Sequence, residues 1–263
     1  MTDPSAGASP AKAALTYAAL DDHALACHPI AQPGARLALR PDDLGPQIEH
    51  LFLAQQGIVP FPAVTSLMQA AGAAAPNRLL ELADGLTLLR LASDPLPGTE
   101  WTRLSIRAKR AAITAGFHPR IAGQLAVAVE ELAANIFEHS YGADSGFVVF
   151  RGSPRLFEFV AADQGIGALR SLRTSSQYAS LHTSRDALPL VLQDGCTCTG
   201  DPGRGQGFKD LFRALANHSG RLRFRSGDAA AIIDGQSPDP LRVKVKTRVP
   251  LNGFIASVCC VPT

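Results

Sequence analysis

No apolar run in this chain approaches the roughly 18 residues that a membrane-spanning helix needs. The Ser-, Ala- and Pro-rich start has neither the charged nor the apolar region of a secretory signal. Cysteine is scarce and odd in number, five in 263 residues, which argues against a disulfide framework. Charge is sparse and nearly balanced, with 18% charged residues and a formal net charge of +2, so there is no broad basic field for nucleic acid to follow. Arginine outnumbers lysine, as genomic base composition alone would produce, and internal repeats are absent. The expectation is a cytoplasmic protein with neither nucleic acid nor membrane as a partner. Its length suffices for one substantial core and a second small unit. Cys196-Thr-Cys198 with His182 makes only a weak zinc pattern, and Cys259-Cys260 reads as part of an apolar terminal strand.

Against these absences stands one dense segment, Glu131-Leu-Ala-Ala-Asn135-Ile-Phe-Glu-His139. A carboxylate, an amide and an imidazole recur every four residues, so each is rotated by only about 40° from the last and the three span roughly 12 Å of one helix face. Pro119 suits a helix start, Leu125, Ala128, Val129, Leu132 and Ile136 form an apolar stripe, and Gly142 ends the pattern. Glu131, Asn135 and His139 lie beside that stripe. Either the solvated flank of an amphipathic helix or a row facing a cation and a polyphosphate has this spacing.

Two glycine patterns follow. Asp163-Gln-Gly165-Ile-Gly167 comes after an alternating strand pattern at Leu156 to Ala162, and Gly203-Arg204-Gly205-Gln-Gly207 precedes an amphipathic helix with Phe212, Leu211 and Leu215. Each is compatible with a tight turn needing positive φ. Each also suits a ligand: glycines let the backbone approach closely, and the Asp163 carboxylate accepts from an exocyclic amine, which marks it as an adenine reader. Bare N–H groups at the helix start after Gly203, Gly205 and Gly207 make an anion cradle. A P-loop is excluded because Gly207 is followed by Phe208 and Lys209, and a Rossmann or protein-kinase glycine loop because Phe208 occupies the position of its last glycine.

The ordered set Glu131…Asn135…His139, Asp163-x-Gly165-x-Gly167 and Gly203-x-Gly205-x-Gly207 resembles the N, G1 and G2 boxes of the GHKL ATPase superfamily, over about residues 86 to 263. That superfamily includes gyrase, mismatch-repair ATPases, sensor histidine kinases and anti-sigma-factor serine kinases, and the short anti-sigma-kinase form is the most similar. The resemblance implies the Bergerat ATP-binding fold, ATP and Mg²⁺ as ligands, Asn135 as the magnesium ligand and Glu131 as general base, with His139 near the phosphates. It also implies an ATP lid from Ala168 to Pro202, where Arg170, Arg173 and Arg185 are candidates for γ-phosphate contact, and Arg204 is a stronger one. Glu130 is rotated away as a solvated neighbour. Members of the family usually carry a threonine directly after a glycine in the last strand, where here Phe254 follows Gly253.

Pattern alone predicts an α+β two-layer sandwich over residues 86–263, a mixed, mostly antiparallel sheet with helices on one face. Strands are expected at Leu86 to Leu91, Gly146 to Phe150, Leu156 to Ala162, Arg221 to Arg225, Ala230 to Asp234, Val243 to Val249 and Phe254 to Cys260, with a hairpin turn at Gly152-Ser-Pro154. Helices are expected at Trp101 to Ala115, Pro119 to His139 and Phe208 to Asn217. Residues 1–12 read as a disordered tail. Residues 13–85 read as a small helical region packed on the ATPase unit or on a partner, with helices at Leu44 to Gln56 and Pro62 to Ala73 and a short strand at Ala35 to Arg40.

Three functions remain open: an anti-sigma-factor-like serine/threonine kinase, the ATP-binding half of a histidine-kinase phosphorelay, and a nucleotide-gated binding module. The partner would be a protein of sigma-factor, anti-anti-sigma or response-regulator type, or a second copy in a homodimer. For a phosphorelay, neither His50 nor His118 lies in a convincing dimerisation hairpin.

Overall fold

The structure, a computed structural model, describes residues 16–27, 44–61, 66–82, 85–192, 220–234 and 243–262. The expected tail, the strand at Ala35 to Arg40, Cys196 and Cys198, the end of the lid, the cradle Gly203–Gly207 with Arg204 and the helix Phe208 to Asn217 lie outside the described residues.

The described elements run α1 (Tyr17–Cys27), α2 (Leu44–Gln55), α3 (Ser66–Ala73), β1 (Leu79–Glu81), β2 (Leu86–Arg90), α4 (Gly98–Thr114) and α5 (Pro119–His139). They continue as β3 (Phe147–Ser153), β4 (Leu156–Asp163), α6 (Gly167–Leu172), α7 (Ser184–Val191), β5 (Arg221–Asp234) and β6 (Lys244–Cys260). The strands form one six-stranded sheet in the order β1-β2-β3-β4-β6-β5. Every described pairing is antiparallel, where a mixed sheet was expected.

Alternation along the strands divides the side chains between two cores. On one face Leu89, Val148, Phe150, Phe159, Ala161, Phe224 and Val258 meet the buried stripes of α4 and α5, among them Leu104, Ala108, Leu125, Val129, Leu132 and Ile136. On the other Leu88, Val149, Val160, Ala162, Leu251 and Ile255 meet Leu20, Ile48, Phe52, Leu53 and Leu67 of the N-terminal helices. The described helices of residues 86–263 thus lie on one face, as expected for that unit, and the N-terminal helices pack on the other. The strands are apolar on both sides, so leaving the second face bare would expose the alternate residues to water, and α1–α3 cover it.

Three local differences have physical causes. The two strand pairs expected in the C-terminal quarter are two long strands, because the punctuation at Gly227 and at Pro250–Gly253 is absorbed as register shifts between Ser226 and Ala229. The first hairpin turns at Pro154-Arg155, with Arg155 at φ 64° and Ser153 paired with Leu156; Gly152 is inside β3. Its glycine serves packing, since a Cβ there would overlap the carbonyl of Ala111 on α4. The expected lid carries α6 at its start and α7 near its middle, with Ala168, Leu172, Ala187 and Leu188 buried, so packing supplies order that its polar sequence does not advertise.

Candidate functional site

α5 begins where expected. Pro119 occupies its first turn, and His118 Nδ1 accepts from the Arg120 N–H at 3.3 Å. Its apolar stripe is buried against the sheet; Glu131 is exposed, and Asn135 and His139 are half-buried on the flank. At its far end the helix stops at Ser140, whose hydroxyl accepts from the Gly142 N–H at 3.0 Å. The Ser140 carbonyl accepts from the Ile166 N–H at 2.8 Å, which ties the end of α5 to the turn that follows β4.

That turn is Asp163–Gly167, and its glycines are there for close approach to the protein's own backbone. A Cβ on Gly165 would overlap the Ser140 carbonyl. Gly167 has φ 74°, and a Cβ there would stand 2.8 Å from Ser226 Oγ and 3.0 Å from the Gly253 carbonyl. Gly253, at φ 81°, presses on the Asp163 carbonyl and on Gln164. Ser226 donates from its hydroxyl to the Gly253 carbonyl at 2.7 Å and accepts from the Ala168 N–H at 2.9 Å. The turn is therefore clasped between the end of α5 and the irregular middle of β5 and β6.

Asp163 ends β4 on the face toward α5, in the register of Ala161 and Phe159. It is 1% exposed. Its Oδ1 accepts from the Gly165 N–H at 2.6 Å, while Oδ2 is buried with no hydrogen-bond partner among the described residues. Burial pushes the carboxyl up to about 7 against the opposing pull of the Gly165 N–H. A buried acceptor with nothing to accept costs about 1–3 kcal/mol and calls for a reason. A bound donor, such as an exocyclic amine, would supply one.

Phe254 pairs with Asp163 across β4 and β6 and stacks on Phe224 with ring centroids 5.4 Å apart. The position after Gly253 thus presents an aromatic wall beside the carboxylate where a threonine would present a hydroxyl. Arg170, Arg173 and Arg185 are all exposed on or beside α6 and α7. Arg185 and Asp186 line a shallow groove of about 520 Å³ with Leu181, Pro189, Leu190, Val243 and Val245, apart from the Asp163 turn. Among the described residues no group of three His, Cys, Asp or Glu side chains could hold a metal ion. Asn135 offers one oxygen ligand, and Mg²⁺ accepts one or two protein oxygens when phosphates and water complete its shell.

The structure thus joins the Asp163–Gly167 turn to the last turn of α5, next to His139, with Asn135 one helical turn and Glu131 two turns further back on the same flank. Sequence reading missed Ser226, Gln164, Gln55 and Gln56. Gln164 donates to Gln55 at 2.6 Å, and Gln56 pairs with the backbone of Asn252, accepting from its N–H at 2.7 Å and donating to its carbonyl at 3.2 Å. Nothing in a linear pattern marks such pairs.

No family model matches the chain, and no curated protein matches it significantly. What the fold itself defines is an α+β sandwich on an antiparallel sheet with helices on both faces.

Proposed function

We propose that this chain is an ATP-binding regulatory protein of the histidine-kinase-like ATPase type, acting as an anti-sigma-factor-like serine/threonine kinase that binds a protein partner. The observation that carries the reading is the unpartnered Oδ2 of Asp163, buried beside Phe254 at the clasp between β4 and α5. Adenine offers that oxygen an exocyclic N–H and offers the phenyl ring a flat face. Asn135 would hold Mg²⁺, which supplies neutralising charge for the phosphates. Glu131, exposed on the same flank, would orient and deprotonate the attacking hydroxyl. Gly203, Arg204, Gly205 and Gly207 would cradle the phosphates.

The phosphorelay alternative has less support. His50 is 2% exposed with its Nε2 3.1 Å from the Pro60 carbonyl, and His118 spends Nδ1 on capping α5. The buried His50 imidazole is not presented as a phosphoacceptor, and the exposed His118 stands at the start of α5.

Incubation of the purified protein with labelled ATP and Mg²⁺, with and without candidate partners, tests the reading. Acid-stable label on serine or threonine is expected; acid-labile label supports the phosphorelay, and binding without transfer the nucleotide-gated module. In Glu131→Gln, ATP binding should persist while transfer falls by about 10²–10⁴. Transfer at the wild-type rate removes Glu131 from the mechanism.

A further inference from the structure

The N-terminal helices sit on the sheet face opposite α5, yet the end of α2 reaches the Asp163 turn. β4 pairs with β6 only as far as Asp163 with Phe254, and the β5 register jumps from Phe254 to Leu251, so Asn252 and Gly253 belong to neither ladder. Such unpaired backbone, next to Gly253 at φ 81°, is where the β6 backbone presses on Asp163 and Gln164. Gln56 supplies the missing partner: its side-chain amide accepts from and donates to Asn252 in the manner of a neighbouring strand. Gln55, one residue earlier, accepts from Gln164 inside the turn. The same helix is anchored at its middle. Glu49 receives two hydrogen bonds of 2.8 Å from Arg223 and a further one from Arg225, and Arg225 directly precedes Ser226, the hydroxyl that clasps Gly253 and Ala168.

We propose that α2 positions the Asp163–Gly167 turn through Gln55 and Gln56, so that the N-terminal helices are a working part of the nucleotide site and any event that lifts α2 lowers its affinity. The inference rests on the ATP-binding reading for its consequence, but its structural half does not. Gln55 and Gln56 are positioning residues, acting through Gln164 and the Asn252 backbone. By linkage, nucleotide held at the turn should in turn steady the end of α2.

The experiment uses the full chain, with Gln56→Ala and the double substitution Gln55→Ala/Gln56→Ala. Both side chains are at least partly exposed, so the thermal midpoint should move by no more than about 2 °C. Without nucleotide, amide hydrogen exchange of a peptide covering residues 161–168 should quicken about fivefold to tenfold in the double variant. With MgATP, calorimetric affinity should fall about fivefold in Gln56→Ala and further in the double variant. Gln56→Glu, which keeps the acceptor for the Asn252 N–H but loses the donor, should fall between wild type and Gln56→Ala. Unchanged exchange overturns the brace itself. Faster exchange with unchanged ATP affinity overturns its coupling to the site. A wild-type protein that binds no MgATP overturns the functional reading and the coupling together, an outcome distinct from the other two because the exchange result stands without nucleotide.

Discussion

Glu49 and Asp163 are both buried carboxylates against the same sheet, Glu49 under α2 on the N-terminal face and Asp163 on the face of α4 and α5. Glu49 sits among opposite charges: Arg223 and Arg225 bond to its oxygens, Arg223 also meets Asp21 at 2.7 Å, and Arg248 meets Asp21 at 2.7 Å. Burial alone would raise the Glu49 carboxyl, but Arg225 and Arg223 hold it below the usual carboxylate range. Among the described residues Asp163 has one backbone N–H and one oxygen without a partner, and burial wins, raising it to about 7. The difference separates a carboxylate completed by the fold from one that the fold leaves incomplete. The first is structural, and the second, on the proposed reading, takes its donor from a bound nucleotide.

The comparison breaks most visibly at Glu49. Glu49→Ala takes from the buried Arg225 its carboxylate and leaves Arg223 with Asp21 alone, and should cost about 3–5 kcal/mol of unfolding free energy, read from denaturant titration. A loss under about 1 kcal/mol would mean that the network is solvated and that the two faces do not differ as described.

Asp163→Asn should do the reverse in the nucleotide-free protein. A carboxyl whose folded pKa exceeds its unfolded value binds protons more tightly in the native state, so stability is full below about pH 4 and declines as pH rises towards 7. The amide removes that slope and should stabilise the protein at pH 8 by an amount on the order of 2–4 kcal/mol. ATP binding should meanwhile weaken by roughly 1.5–3 kcal/mol, since an amide can turn its NH₂ toward the adenine amine. Destabilisation at pH 8, or undiminished affinity, would show that Asp163 is an ordinary structural carboxylate.

The smallest effect sharpens the contrast from the acid side. Burial lowers the His50 imidazole below its ordinary value, with a 6.1 Å ring contact to His23, itself lowered by burial. A base depressed in the folded state contributes stability that is lost as pH falls below the unfolded value near 6.5. The N-terminal face should therefore loosen on acidification, where the Asp163 face tightens. His50→Gln should flatten this acid limb in a pH-resolved melt, by less than either preceding substitution, and leave the slope between pH 4 and 7 due to Asp163 in place.

The parts of the molecule legible from the chain are those whose signal is periodic. α5 is readable because its stripe, first-turn proline and closing glycine lie within one stretch, and β4 because a short, largely apolar run, buried on both faces, ends at Asp163. α6 and α7 are not: they are short, α7 carries Pro189 inside it, and what holds them is Ala168, Leu172, Ala187 and Leu188, buried in the packed structure. α1 escaped for a related reason. Its anchors include Tyr17, under the Arg223 guanidinium at 4.5 Å, and Asp21, polar types that read as surface until their partners on β5 and β6 are known.

At the candidate site the same division holds. The Asp163-x-Gly165-x-Gly167 spacing and the four-residue steps from Glu131 to His139 are local facts, written in adjacent residues because turns and helices have short periods. Whether a glycine faces a ligand or a carbonyl, whether a carboxylate is satisfied, and whether a distant helix touches the turn are long-range facts. Gln55 meets Gln164 across 109 positions and Gln56 meets Asn252 across 196. Only packing brings such groups within reach, because a hydrogen bond between exposed amides carries too little free energy to impose a pattern on the sequence at either end.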